Sequence, residues 1–508
     1  MASAAFGLGI AELVAGASAR LRSPVLDVGD RVIDRVPVWL KELAIDLFGT
    51  KDKLALLAGI GITLGLYAAA VGIVGLRRNR LAGLAGIGLF GLVGSLAAVA
   101  GRTETSSVVV LPSLLGAAAA ALALQVFAWP NRRRPGNEQP PMSQPSMGQP
   151  PMRQPPSRRR FLATAGVVAA GAVAAAAAGR ALDSRFNAAA SRLALSLPRA
   201  RRPLPPVPAG VQADGAVSFF TANADFYRID TALTVPQVPI ETWTLRVHGR
   251  VDRELTLTYQ DLIERELVES DITLTCVSNT VGGELLGTAR WLGVRLDQLL
   301  AEAGVDPQAD QIVGRSVDGY TCGFPTAALD GRDALVAIGM NGEPLPLAHG
   351  FPARLIVPGL YGYVSATKWL TEIEVTTFAD FDHYWVPRGY SAEAPIKLQS
   401  RIDRPRGLDR IPAGPFVIGG VAWAQTIGIA AVQVRIDDGE WLDATLADEA
   451  NDATWRQWSM PWDATPGRHS VTVRAIDRTG AIQTEERSEP LPNGATGHHT
   501  VVALVEEP

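Results

Sequence analysis

The sequence predicts three architectures in succession: an N-terminal α-helical membrane region, a central α+β domain and a C-terminal all-β sandwich of immunoglobulin type. Three observations carry this. Four apolar stretches, near 54–76, 82–101, 107–129 and 161–181, each approach the roughly 20 residues that a spanning helix needs. Residues 222–393 mix short alternating runs with helical segments, the signature of an α+β unit. After Arg401-Ile-Asp-Arg-Pro-Arg406 the pattern becomes strands alone. A chain of 508 residues exceeds one ordinary domain, in keeping with such a division.

Residues 1–50 read as interfacial or re-entrant helices. The run 4–21 is apolar but short and contains Glu12, whereas 31–48, with Val32, Ile33, Val36, Leu40, Leu43 and Leu47 against charged neighbours, is amphipathic; both suit the membrane surface better than a full crossing. Residues 51–130 hold three spans. Arg77, Arg78 and Arg80 separate the first two, and Arg132, Arg133, Arg134, Arg158, Arg159 and Arg160 lie between the third and the fourth. The positive-inside bias makes both loops cytoplasmic. Residues 131–160, rich in Pro, Gln and Met, form an extended cytoplasmic linker, and the fourth span, 161–181, leads out. The expected protein is a multi-pass component of the cell membrane, in contact with lipid, with its later domains on the extracytoplasmic side. Ser157-Arg-Arg-Arg-Phe-Leu162, followed by a weakly hydrophobic Ala/Gly run, resembles a twin-arginine export signal; the alternative is an ordinary anchor flanked by positive charge. All six histidines lie at or after His248 and no methionine falls within the spans, so the spans lack the usual axial ligands of haem.

Residues 200–215 read as a Pro/Arg/Ala-rich spacer. The α+β domain is placed at 215–393, with strands such as Trp243–His248 and Ile272–Thr275 and helical segments at 257–267 and 294–303. The sandwich occupies 394–508: Val417–Trp423, Val432–Ile436 and His469–Ala475 alternate with period two, and Asp438-Gly439 closes a hairpin. Trp441, Trp455, Trp458 and Trp462 are read as its core filling. A net charge of −4 with no basic face excludes nucleic acid as a partner. Cys276 and Cys322 are the only cysteines, which allows one disulfide at most and no disulfide framework.

Several separated motifs occur in order: Phe226-Tyr-Arg-Ile-Asp230, Cys276-Val-Ser-Asn279, Gly287-Thr-Ala-Arg-Trp291, Asn341-Gly-Glu-Pro-Leu-Pro346, His349-Gly-Phe-Pro-Ala-Arg354 with Pro358-Gly359, and Lys368-Trp369. Through them, residues 222–508 resemble the sulfite oxidase family of molybdopterin-dependent oxidoreductases, here as a membrane-anchored bacterial member of actinobacterial type. The resemblance implies a molybdenum-molybdopterin cofactor with Cys276 as the thiolate ligand of the metal, and a thiolate suits such a centre. It implies Arg354 and Lys368 at the cofactor phosphate, with Tyr227, Arg228, Asp230, Ser316, His349 and Thr367 as further cofactor contacts. For Ser316 the competing reading is a turn cap, and for His349 an ordinary loop histidine. Arg228 also falls where the family places an arginine near the substrate anion. Tyr390, in Trp385-Val-Pro-Arg-Gly-Tyr390, resembles the family's active-site tyrosine, a proton or hydrogen-bond donor; a packed tyrosine is the other reading. Cys322 is expected to be buried and structural.

Two departures bear on the substrate. Thr280-Val281 stand where vertebrate members carry two arginines, and the stretch from Asn279 to Gly287 is shortened. The implied enzyme transfers an oxygen atom and two electrons to or from a small molecule, sulfite or a sulfoxide. Its electrons pass to or from an external cytochrome or quinone-linked partner, and the C-terminal domain of relatives commonly forms dimers, which makes a homodimer an open alternative to a monomer. A cofactor-free, membrane-tethered interaction module on the same fold is the alternative.

Overall fold

The computed structural model of the chain describes residues 1–18, 21–36, 47, 52–100, 107–128, 158–183, 187–201 and 203–507. They form two units, Met1–Asn187 with Thr231–Thr234, and Ala188–Asp230 with Val235–Pro508.

The described helices of the first unit are α1 (Ala2–Ala15), α2 (Pro24–Arg35), α3 (Asp52–Arg77), α4 (Arg80–Ala100), α5 (Leu111–Ala128) and α6 (Arg158–Asp183). Four segments, Ala55–Arg77, Arg80–Ala100, Ser107–Phe127 and Leu162–Leu182, are long and apolar enough to cross a membrane. At 1.5 Å per residue, α1 reaches only about 21 Å, short of the ~30 Å hydrocarbon layer. It lies against α5 and α6, and a Cβ at Gly7 or Gly9 would strike the carbonyl of Gly116 or Ala172; small residues permit such close helix contact. The amphipathic helix expected over 31–48 starts earlier, at Pro24, after Ser23 has accepted the Val25 N–H at 3.3 Å. Ser-Pro is a start signal, a capping hydroxyl followed by a ring preset for the first turn. Residues 37–46 and the linker 129–157 lie outside the described residues.

The second unit contains four sheets. One runs β2 (Leu255–Thr258), β1 (Thr244–Gly249), β10 (Leu370–Thr376), β5 (Gln311–Ser316), β6 (Thr321–Pro325); another runs β3 (Leu267–Thr275), β4 (Leu286–Arg295), β7 (Leu335–Met340), β8 (Glu343–Pro344), with β9 (Arg354–Ile356) also on β7. Helix α7 (Ala188–Ala194) precedes them, α8 (Tyr259–Ile263) and α9 (Leu296–Ala303) interrupt them, and α10 (Gly362–Ser365) follows β9. Both predicted helical segments are thus shorter than expected, because strand residues on either side are drawn into the sheets. The last two sheets are β11 (Gln399–Arg404), β13 (Gly414–Trp423), β17 (Arg456–Ala464), β16 (Thr445–Leu446), and β12 (Arg410–Pro412), β19 (His499–Glu506), β18 (Gly467–Asp477), β14 (Ile429–Ile436), β15 (Leu442–Asp443). Ile418 and Trp458 of one meet Val432, Val473 and Ala503 of the other in a single apolar core, which makes them a two-sheet sandwich.

Residues 200–215 are not a spacer. The strap from 188 to 221 is bonded to the second unit along its length: Arg192 donates to the Pro344 and Leu345 carbonyls, Arg290 to those of Leu204 and Pro205, and Gln457 accepts the Ala213 N–H at 2.8 Å. A proline-rich segment can be held this way because it lacks N–H groups but keeps its carbonyls as acceptors. The tryptophans also divide. Trp458 is in the sandwich core, Trp462 packs against its edge, Trp455 is buried with Phe219 and Trp423 outside that core, and Trp441 lies between Arg435 and Arg474.

Candidate active site

Cys276 follows directly on β3, whose pairing with β4 runs unbroken from Leu267↔Val294 to Thr275↔Leu286. Its N–H donates to the Leu285 carbonyl at 2.9 Å, and Asn279 Oδ1 accepts the Leu285 N–H at 2.8 Å, so residues 276–285 form a tight loop. The thiol is buried, 7% exposed. Burial pushes its pKa up, while the N–H and hydroxyl of Ser278 and the charge of Lys368 pull it back. An unpaired thiolate in such a place is costly, and a metal bond is what would stabilise it.

Around it stands an excess of cations. Arg354, at the start of β9, is 5% exposed; its Nη1 donates to the His349 carbonyl at 3.1 Å and its guanidinium lies 5.1 Å from the Trp291 ring centre. Burial pushes its pKa down to about 10. Lys368 donates to Asp230 at 2.9 Å, and Arg228 reaches the same carboxylate at 2.7 Å. Burial first, with Arg354 and Arg228 adding to it, pushes Lys368 down to about 8 against the opposing pull of Asp230. Gly350 explains the glycine of the His349 motif: its φ is +109° and a Cβ there would lie 3.1 Å from both Arg354 and Lys368, so only glycine lets the two cations close on this turn. His349 donates from Nε2 to the Asn223 carbonyl at 3.1 Å, and burial with Arg354 nearby pushes it down to about 4; it is a neutral imidazole.

The structure therefore brings together Cys276, Tyr227, Arg228, Asp230, His349, Arg354 and Lys368. Tyr227 feels both the Cys276 thiol and Arg354, and burial raises its phenol well above the ordinary range. Ser316 ends β5 beside Leu370. Thr367 is directed elsewhere: Cys322 approaches its hydroxyl at 2.7 Å, and that hydroxyl faces the Gly314 carbonyl at 3.4 Å. Cys322 is free and fully buried, and its thiol is pushed up to about 11 by burial. Tyr390 packs edge-on to Trp385 and tilted against Tyr363, with centroids 5.1 and 5.4 Å away. Sequence reasoning passed over Ser278, Tyr320 and Tyr361. Burial is the main cause of the raised pKa of both tyrosines, with the charge of Cys276 a smaller contribution, and Asp318-Gly319 and Pro358-Gly359 are turn signals that could have pointed to them.

Whether these residues suit a phosphate-bearing pterin can be judged from their unused polar atoms. Arg354 Nε, Ser316 Oγ and Thr275 Oγ1 are buried without a hydrogen-bond partner among the described residues, and buried donors are rarely left so. Buried Lys368 and exposed Arg228 share the buried carboxylate of Asp230. Among the described residues no group of three or more His, Cys, Asp or Glu could hold a metal, so Cys276 belongs to no such protein-built cluster there. The donor set fits.

Residues 232–385 match the family model described as the oxidoreductase molybdopterin binding domain. The chain is 29% identical over 316 residues to the mitochondrial sulfite oxidase of Rattus norvegicus, covering 52% of this chain and 57% of that one. It spans little more than half the length of the sulfite oxidases it matches. It is 34% identical over 148 residues to the uncharacterized oxidoreductase YuiH of Bacillus subtilis (strain 168), covering 29% of this chain and 72% of that protein. In fold it is similar to the sulfane dehydrogenase SoxCD from Paracoccus pantotrophus, with a TM-score of 0.50 at 22% identity over 56% of this chain and 81% of that one.

Proposed function

The chain belongs to the sulfite oxidase family of molybdopterin-dependent oxidoreductases, and from that premise we propose that it is a membrane-anchored enzyme acting outside the cytoplasm on a small neutral substrate of sulfoxide type. When bound, the molybdenum-molybdopterin centre supplies oxygen-atom transfer coupled to a two-electron change. Cys276 supplies the protein's bond to the metal. Arg354 and Lys368, with the unused hydroxyl of Ser316, bind the cofactor phosphate, the guanidinium through its free Nε edge and the ammonium as a point charge. His349, locked as the Nε2–H tautomer by Asn223, orients the pterin edge. Tyr361, pushed up to about 12 by burial, stays protonated and can only donate its proton or accept a bond. Tyr390, packed on Trp385 and Tyr363, would serve as a hydrogen-bond donor to the substrate.

One observation favours a neutral substrate. On the cysteine loop itself Thr280 and Val281 carry no charge, and Arg228 is paired with Asp230. An anion desolvated beside that loop finds little compensation from it. The arginine-rich loops and the signal-like Ser157–Leu162 segment support the extracytoplasmic placement, the immunoglobulin-like sandwich supports a homodimer, and an external cytochrome or quinone-linked carrier supplies electrons. In the detergent-purified full chain, oxidation of a reduced viologen by sulfoxides should exceed sulfite oxidation in kcat/KM by at least about ten-fold; the reverse ranking overturns the substrate reading. A cofactor-free module would hold less than about a tenth of a molybdenum per well-folded chain, and that result would overturn the enzyme.

A further inference from the structure

We infer that the sandwich supplies positioning residues to the active site, Arg401 and His499, which hold the loop carrying Cys276; this rests on Cys276 being the metal ligand. The loop is closed at its base by the Cys276–Leu285 backbone bond and by Asn279. At its tip Gly283 donates to the Thr280 carbonyl at 2.9 Å, and Gly282 adopts φ +77°. Both glycines are met from the sandwich. Arg401 Nη1 donates to the Gly283 carbonyl at 2.9 Å, and the His499 ring occupies the space where a Gly282 side chain would stand.

Neither clamp is loose. Arg401 is 7% exposed, its Nε is held by Asp403 at 2.6 Å, and Asp403 in turn accepts the Val217 N–H at 3.0 Å. His499 Nδ1 accepts the Ile402 N–H at 3.0 Å, so both side chains are rooted in β11. The strand entering the loop is braced as well: Thr273 donates to the Ala453 carbonyl at 3.0 Å, accepts from the Trp455 N–H at 2.8 Å through its hydroxyl, and receives Gln425 on its carbonyl. Cys276 is thus bracketed in sequence by two points tied to the sandwich. A buried guanidinium spent on a glycine carbonyl is an expensive way to finish a turn that water could finish, whereas metal ligands must be held to within about half an ångström to work. The cost makes sense if the position of the sulfur is what is being controlled.

The test uses the full chain in detergent, purified both from cells supplied with molybdate and from cells starved of it. In the cofactor-free protein, alkylation of Cys276 is followed by peptide mass, with fully buried Cys322 as the internal reference. Arg401→Met should speed Cys276 alkylation at least about five-fold with Cys322 unchanged, and Arg401→Lys should return it to within about two-fold of wild type, since an ammonium can still reach the carbonyl. Gly282→Ala should speed Cys276 alkylation as Arg401→Met does, and Gly282→Ala with His499→Ala should bring the rate part of the way back by making room. In the loaded enzyme Arg401→Met should lower kcat with KM unchanged. Wild-type alkylation and kcat in both Arg401→Met and Gly282→Ala would overturn the proposal. So would equal acceleration at Cys322, which would show general loosening of the fold. Absence of molybdenum from the wild type would instead count against the enzyme reading and leave the alkylation result standing.

Discussion

Arg354→Met separates stability from function. The arginine is 5% exposed, and burial brings its pKa from an ordinary 12.5 to about 10. Both values lie above neutrality, so at pH 7 the group is charged in the folded and unfolded states alike and the whole penalty is present. At about 1.4 kcal/mol per tenfold in proton affinity, it amounts to about 3 kcal/mol. Methionine removes that penalty and fills much of the same volume against Trp291. It also forfeits the bond to the His349 carbonyl and the cation–ring contact, together about 1–2 kcal/mol. The cofactor-free variant should therefore be more stable than wild type by about 1–2 kcal/mol, or roughly 2–7 °C in Tm for a domain of this size. It should also retain less than about a tenth of the wild-type molybdenum. Thermal unfolding followed by tryptophan fluorescence suits the purpose, because nine of the eleven tryptophans lie between Trp243 and Trp462. Metal analysis supplies the other readout. A variant that keeps its molybdenum, or that melts well below wild type, would show that Arg354 is a structural residue and not a cation held for an anionic ligand.

Other outcomes follow from the same geometry. Cys276→Ser should lower turnover more than about a hundred-fold, whereas Cys322→Ser, which keeps a hydrogen-bonding partner for Thr367, should stay within about two-fold; loss of the metal in the second variant alone would reverse the ligand assignment. His349 and His499 are both pushed down from 6.5 to about 4. Their folded forms bind protons less readily than the unfolded chain, so the stability they contribute is complete above pH 6.5 and is lost as pH falls towards 4. Between pH 7 and 5 the loss should be about 2–3 kcal/mol, discounted for the partial exposure of His499, and His499→Gln should remove part of that slope in denaturant titrations. Asp230→Asn frees Arg228 and Lys368 from their shared counterion, so KM for sulfite should fall about three- to ten-fold with KM for a sulfoxide little changed. A matching fall for both substrates would place Asp230 away from the substrate's charge.

Much of the site was legible from local chemistry. A cysteine followed by Val-Ser-Asn, a histidine, glycine and arginine in fixed order, and a Lys-Trp pair are short-range features, and each is placed by its own turn or strand end. Gly350 shows why such spacing survives: its positive φ and the two cations pressed on it leave no alternative residue. Thr367 shows the limit. Its neighbour Lys368 belongs to the site, yet its own hydroxyl faces Cys322, because adjacent residues near a strand point to opposite sides.

The sequence by itself determined the apolar helices long enough to cross a membrane, the succession of helical, mixed and all-strand segments, the cofactor class and the choice of Cys276 as candidate ligand, since these depend on apolar length, alternation and motifs carried within a few residues. Only the tertiary structure decided that 200–215 is a bound strap, that Trp455 and Trp458 serve different cores, and that Arg401 and His499 reach the cysteine loop. Those contacts join residues more than a hundred positions apart. Nothing in the local pattern of an arginine or a glutamine on a strand states which distant carbonyl it will meet. That is set by how the sheets pack, where buried polar groups must find partners or cost the fold its stability.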